Sequence, residues 1–162
     1  MTYEVDAKRG VANHYGVRTT DGSKGAQSQS VGLVKQAVWD FDYNNLPTYG
    51  SSNLQFAIPA NATIVSAKLY VDVAFTSTST ATDLVVGLYT GAGSAIDADG
   101  LIEADEATQT AIGTAGNVVT GAGALIGKTI GASAGEVTIA PTTDDLLTGA
   151  GRLVVEYVYD KN

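Results

Sequence analysis

Ile64-Val65-Ser66-Ala67-Lys68-Leu69-Tyr70-Val71-Asp72-Val73-Ala74-Phe75 alternates apolar and polar residues over most of its length. A period of two marks a strand with one buried and one wet face. Val65, Ala67, Leu69, Val71, Val73 and Phe75 fall on one side, and Ser66, Lys68, Tyr70 and Asp72 on the other. At ~3.3 Å per residue the stretch spans roughly 40 Å, long for a strand of a globular domain. It predicts the central strand of a β-sandwich, with the valines inward and Lys68, Tyr70 and Asp72 outward.

Upstream lies Val38-Trp39-Asp40-Phe41-Asp42-Tyr43, which with the nearby Phe56 and Phe75 holds the only Trp and all three Phe of the chain. Alternation predicts a strand over 33–43 with Ala37, Trp39, Phe41 and Tyr43 toward the core. Asn44-Asn45-Leu46-Pro47 and Gly50-Ser51-Ser52-Asn53 read as turns. Leu54, Phe56 and Ile58 form a short strand that Pro59, which has no N–H to donate, must stop.

Downstream, 76–82 is a Ser/Thr-rich loop, and Leu84, Val86 and Leu88 share one side of a further strand. Leu101, Ala104, Ala107-Thr108 and Ala111-Ile112 recur at helical spacing behind Asp99, which predicts a helix over 99–112. The Gly-rich stretch 118–130 predicts short buried strands around 124–126 and 129–130. Val137 and Ile139 predict a strand over 136–140, stopped by Pro141. Residues 142–147 read as one helical turn capped by Thr142 or Thr143 and closed by Gly149. A last strand over 152–159 faces Leu153, Val155, Tyr157 and Tyr159 one way. The pattern predicts an all-β, antiparallel β-sandwich of jelly-roll type with one or two short helices.

The chain has 162 residues, the usual size of one domain. Residues 33–162 carry the strand pattern. Residues 1–32 have turn formers and little periodicity, and predict an extended N-terminal arm, mobile or partner-ordered: either a tail with a few residues tucked on the domain or an arm that anchors to a neighbouring molecule. There is no Cys, which excludes disulfides, thiolate metal sites and Cys nucleophiles. Nine basic and seventeen acidic residues give a net charge of −8. Such a balance argues against nucleic-acid backbones and anionic membranes, whose binding relies on Lys and Arg. The start of the chain lacks a basic segment followed by an apolar run, so no signal peptide is expected. The longest uncharged run, 107–127, is broken by Thr, Gln, Asn and Gly and is no membrane span; the chain reads as soluble.

Catalytic and cofactor patterns are weak. The sole His, His14, lies in the weakly patterned arm and reads as a hydrogen-bonding surface or docking residue; without a second His or any Cys, zinc binding and the commoner nucleophilic dyads are not expected. Asp97-Ala98-Asp99-Gly100 resembles the start of a calcium loop, but Gly falls at the fourth position and Thr108 where the twelfth-position Glu belongs. A looser oxygen site from Asp97, Asp99, Glu103 and Asp105 is the remaining cation option, set against a turn leading into a capped helix. Asp40 and Asp42, about 7 Å apart on one strand face, satisfy glycosidase spacing, as does almost any Asp-x-Asp strand; solvated outer-face charge is the preferred reading. Gly121-Ala122-Gly123-Ala124-Leu125-Ile126-Gly127 lacks the βαβ setting of a dinucleotide loop, and its glycines fit close backbone packing. The expectation is no enzyme, no cofactor and no metal.

Several words of the sequence resemble the small head decoration (cement) proteins of tailed bacteriophages. They are Lys8-Arg9-Gly10-Val11-Ala12-Asn13-His14-Tyr15-Gly16-Val17-Arg18, Ala37-Val38-Trp39-Asp40-Phe41-Asp42-Tyr43, Ile58-Pro59-Ala60 and Ile64-Val65-Ser66-Ala67. Ala95-Ile96-Asp97-Ala98-Asp99-Gly100, Gly123-Ala124-Leu125-Ile126-Gly127 and Leu153-Val154-Val155-Glu156-Tyr157 complete them. The stretch from Phe41 to Val73 is also similar to jelly-roll modules of secreted bacterial proteins. The first resemblance implies a virion structural protein on the outer surface of an icosahedral head, made in the host cytoplasm. It implies the major capsid protein as partner and a homo-oligomer, dimer or trimer. The arm residues Tyr3, Val11, Asn13, His14, Tyr15 and Arg18 are then the expected partner contacts, with Lys68, Tyr70 and Asp72 as a second surface. The alternative is a carbohydrate-binding jelly-roll module or receptor-binding fibre component. Such modules line a groove with exposed aromatics, whereas the eight Tyr are scattered and Trp39 reads as core.

Overall fold

The structure, a computed structural model, describes residues 34–50, 57–79 and 81–159, with the backbone of two short segments near the N-terminus. Those segments, β1 (His14–Tyr15) and β2 (Gln27–Ser28), pair antiparallel. The rest of the predicted arm and the predicted strand residues Leu54 and Phe56 lie outside the described residues. The body is built from β3 (Val34–Asp42), β4 (Thr63–Ser77), β5 (Leu84–Tyr89), β6 (Ala95–Ile102), β7 (Val118–Thr120), β8 (Glu136–Pro141) and β9 (Leu146–Val158). One antiparallel sheet runs β3-β9-β4-β7 and the other β6-β5-β8.

The long alternating run does lie at the heart of the first sheet. It pairs with β9 over most of its length, and β9 pairs on its other side with β3 in unbroken register from Val34↔Val158 to Asp42↔Ala150. Ala37, Trp39, Phe41, Leu69, Val71, Leu153, Val155 and Tyr157 point inward. Leu84, Val86, Leu88, Val137 and Ile139 of the second sheet meet them in a single buried cluster. Each fully buried Val, Leu, Ile or Phe among them contributes about 1.5–3 kcal/mol by leaving water.

One flank of the sandwich is closed by 121–130, stitched to β4 and β6 by backbone hydrogen bonds. Gly121 N donates to Ala67 O (2.9 Å), Gly127 N to Ile64 O (2.9 Å), Ile130 N to Ala62 O (3.0 Å) and Leu125 N to Gly100 O (2.8 Å). A Cβ on Gly123 would run into the Gly100 backbone. The glycines here permit close backbone approach, as their placement outside any βαβ unit suggested.

The faces of β4 differ from simple alternation. Ile64 is buried while Val65 is 41% exposed, and Val73 is 53% exposed although Val71 and Phe75 are buried. The register with β9 shifts between Ile64 and Ser66 and again between Val71 and Val73. An extra residue at each bulge turns the following side chain over, so two valines expected in the core stand on the outer face. Tyr43, expected inward, is 38% exposed just past the end of β3.

Three further expectations are corrected. Residues 99–102, the expected start of a helix, belong to β6 instead; pairing with β5 overrides the local helical spacing. Of the expected helix, only Gln109–Ile112 is helical, a single turn (α1) capped by the Thr108 side chain. Residues 142–144 are bends leading into β9, which already includes Leu146 and Leu147. There Gly149, with φ 130°, lets the Phe75 ring occupy the space a side chain would take. Residues 124–127 form a turn; Thr129 makes one isolated bridge, to Thr63. Among the described residues no helix is long and apolar enough to cross a membrane.

Candidate partner-binding surfaces

Of the arm contacts, Tyr3, Val11, Asn13 and Arg18 lie outside the described residues. His14 and Tyr15 are placed by backbone alone, opposite Ser28 and Gln27. The second expected surface is placed in full. Lys68, Tyr70 and Asp72 stand on the outer side of β4, and cross-strand pairing builds rows around them. Val38, Val154, Lys68 and Thr120 form one row; Asp40, Arg152, Tyr70 and Val118 form the next.

Arg152 organises the centre of this face. Its Nε lies 3.0 Å from Asp40 and its Nη2 3.6 Å from Asp72, so β9 carries one guanidinium shared by carboxylates on both neighbouring strands. In the adjoining row Ser66 Oγ donates to Glu156 (2.8 Å). The two ion pairs are solvent-exposed and add little stability, but Arg152 offsets one of the two carboxylate charges beside it. Around them Val34, Val38, Val65, Val73 and Val118 are each 41–53% exposed. Among the described residues nothing lies over them.

Asp40 and Asp42 serve different structural ends. Asp40 pairs with Arg152, whereas Asp42 Oδ1 accepts from Asn44 N (2.9 Å) and Asn45 N (3.0 Å) and so turns the chain out of β3. That turn launches the loop 43–50 toward the second sheet. Pro47 O accepts from Ile139 N (2.9 Å), and Tyr49 N donates to the Thr138 hydroxyl (3.0 Å). Gly50 N donates to Glu136 Oε2 (2.7 Å), and the Tyr49 ring stacks on Tyr89 at 5.1 Å. The outer face of the three-stranded sheet is therefore partly roofed, which is why outward-facing Thr138 is buried.

The acidic edge around β6 is the remaining cluster. Burial, then the hydrogen bond and charge of Asp99, hold the Asp97 carboxyl above its usual range, with Lys128 opposing. Glu103 is shifted up as well, by loss of hydration and then by Asp105 and its other acidic neighbours. Glu106 instead accepts from Glu103 N (3.0 Å) and Ala122 N (2.6 Å), tying the turn after β6 to the flank segment. Among the described residues no three acidic or His side chains gather as a metal-holding group.

No family model and no curated protein matches the chain. A solved structure does: a chain of the "Cyanophage Pam1 capsid asymmetric unit" superposes with a TM-score of 0.58 at 19% sequence identity. The match covers 88% of this chain and 96% of that one, so the two are of nearly equal length and share a fold.

Proposed function

We propose that this chain is a virion structural protein: a capsid decoration (cement) protein that binds the outer surface of an icosahedral phage head and stabilises contacts between capsid subunits. The observation that carries the reading is the shared fold with a chain of a cyanophage capsid asymmetric unit over almost the full length of both. The resemblance of the sequence words to head decoration proteins points the same way.

The physical design fits the role. A body of two sheets over one core is rigid, and the segment ahead of it supplies adhesive contacts through Tyr3, Val11, Asn13, His14, Tyr15 and Arg18. An arm that folds on its partner can wrap a large surface, and many copies on one lattice gain avidity. Ligands that favour the assembled shell stabilise it by mass action. The partner is the major capsid protein, and the role requires neither catalysis nor a cofactor.

Co-sedimentation with empty heads of the corresponding phage tests this. The full chain pellets with the heads and raises their melting temperature, whereas a variant lacking residues 1–32 remains folded and stays in the supernatant. Absence of the full chain from the pellet sinks the reading; full occupancy by the shortened chain sinks the role of the arm.

A further inference from the structure

The exposed face of the four-stranded sheet differs from the rest of the body in charge as well as in apolar content. Residues 34–159 contain four basic and thirteen acidic side chains, a balance of −9. The outward set on β3-β9-β4-β7 is Lys68 and Arg152 against Asp40, Asp72 and Glu156, with Asp42 at its rim, a balance of −2. The remaining −7 lies elsewhere, much of it along 97–106 and 144–145. Two bodies of this charge repel in most orientations. They approach with least repulsion when these faces meet.

We infer that this face is the contact surface for a second copy of the same chain, packed face to face about a twofold axis. Three features support that occupant over a basic or acidic partner. Two of the register shifts between β4 and β9 leave a valine, Val65 and Val73, on this side, and re-aiming side chains is a characteristic use of bulges. The face is self-complementary: among the described residues Lys68 has no carboxylate at ion-pair distance, while Glu156 and Asp72 lie on the same surface. An isologous contact sets the Lys68 of each copy against acids of the other. The size is also suitable. Strands spaced ~4.8 Å apart and about nine residues long give a flat footprint of roughly 500 Å² before side-chain relief, approaching the ~800 Å² each partner contributes to a standard interface.

The inference gives a surface to the homo-oligomer that the sequence resemblance implies, and it stands on the sheet alone. Sedimentation equilibrium of the full chain from low to high micromolar concentration tests it. The wild type sediments as a dimer. Val154→Lys, at the centre of the face, and Val118→Lys, on its short edge strand, sediment as monomers with unchanged circular dichroism. Ser133→Lys, exposed in the turn ahead of β8, stays dimeric. A monomeric or trimeric wild type overturns the inference, as does dimerisation unaffected by both lysines.

If the wild type is monomeric and Val118→Lys abolishes head binding, the occupant is the shell, and the virion reading survives alone. A dimer that ignores heads leaves the inference standing and removes that reading. If the wild type is monomeric and dimerises only once residues 1–33 are removed, the occupant is the chain's own N-terminal segment.

Discussion

The two sheets present opposite outer faces to solvent. That of β6-β5-β8 is roofed by the loop 43–50, which hydrogen-bonds to Thr138 and Glu136 and stacks Tyr49 on Tyr89. That of β3-β9-β4-β7 is left open among the described residues, with five valines each at least 41% exposed. A monomer has reason to cover both. The loop that could have folded back over its own sheet is instead carried across by the Asp42 turn. The difference separates the face that completes the domain from the face left available to a partner.

The most disruptive change to this arrangement is at the hinge of the open sheet. In Gly149→Val the side chain would occupy the space of the Phe75 ring at a φ of 130° that Val does not adopt. Phe75 is fully buried and stacks on Phe41 with centroids 6.0 Å apart, so it cannot yield. We expect a loss of about 3 kcal/mol or more in urea unfolding. A loss below about 1 kcal/mol would show that β4 and β9 can pair without that close approach.

The two outer faces can then be compared by one substitution on each. Tyr49→Ala removes the stack on Tyr89 and part of the cover over Thr138, and should destabilise the protein by about 1–3 kcal/mol. Tyr70→Ala, on the open face between Arg152 and Val118, should cost under about 1 kcal/mol under conditions in which the protein is monomeric. Equal losses would mean that the open face is as much a part of the fold as the roofed one.

How far the sequence discloses this arrangement depends on whether the signal is local. The strands around Trp39, Val86, Ile139 and Val155 are legible because alternation survives intact along them. The faces at Val65 and Val73 are not, because a bulge changes parity through pairing with β9, some ninety residues away at one end. The helix expected over 99–112 fails for a related reason: Leu101 and Ile102 are both buried, a pattern compatible with helix until the partner strand β5 is known. Lys68, Tyr70 and Asp72 can be found as an outward set on one strand. Arg152, Val118 and Val154 join them only through register, which no local period encodes.

The smallest expected effect concerns the acidic edge of the roofed sheet, and its sign is informative. Because Asp97 is held above its ordinary range in the fold, folding is more favourable when the carboxyl is protonated. That advantage is present at low pH and is lost as pH rises from the unfolded carboxylate range through the raised folded value. Asp97→Asn removes the charge that the fold disfavours. It should therefore raise stability at pH 7 by less than about 1 kcal/mol, since solvent screens a group this exposed. The gain should shrink to nothing as pH falls below the carboxylate range. Thermal unfolding of both proteins across acidic to neutral pH checks this. A variant less stable at pH 7 would mean that the charged Asp97 is an asset, held by its contacts with Asp99 and Lys128, and that this edge also contributes to the negative field confining self-association to the open face.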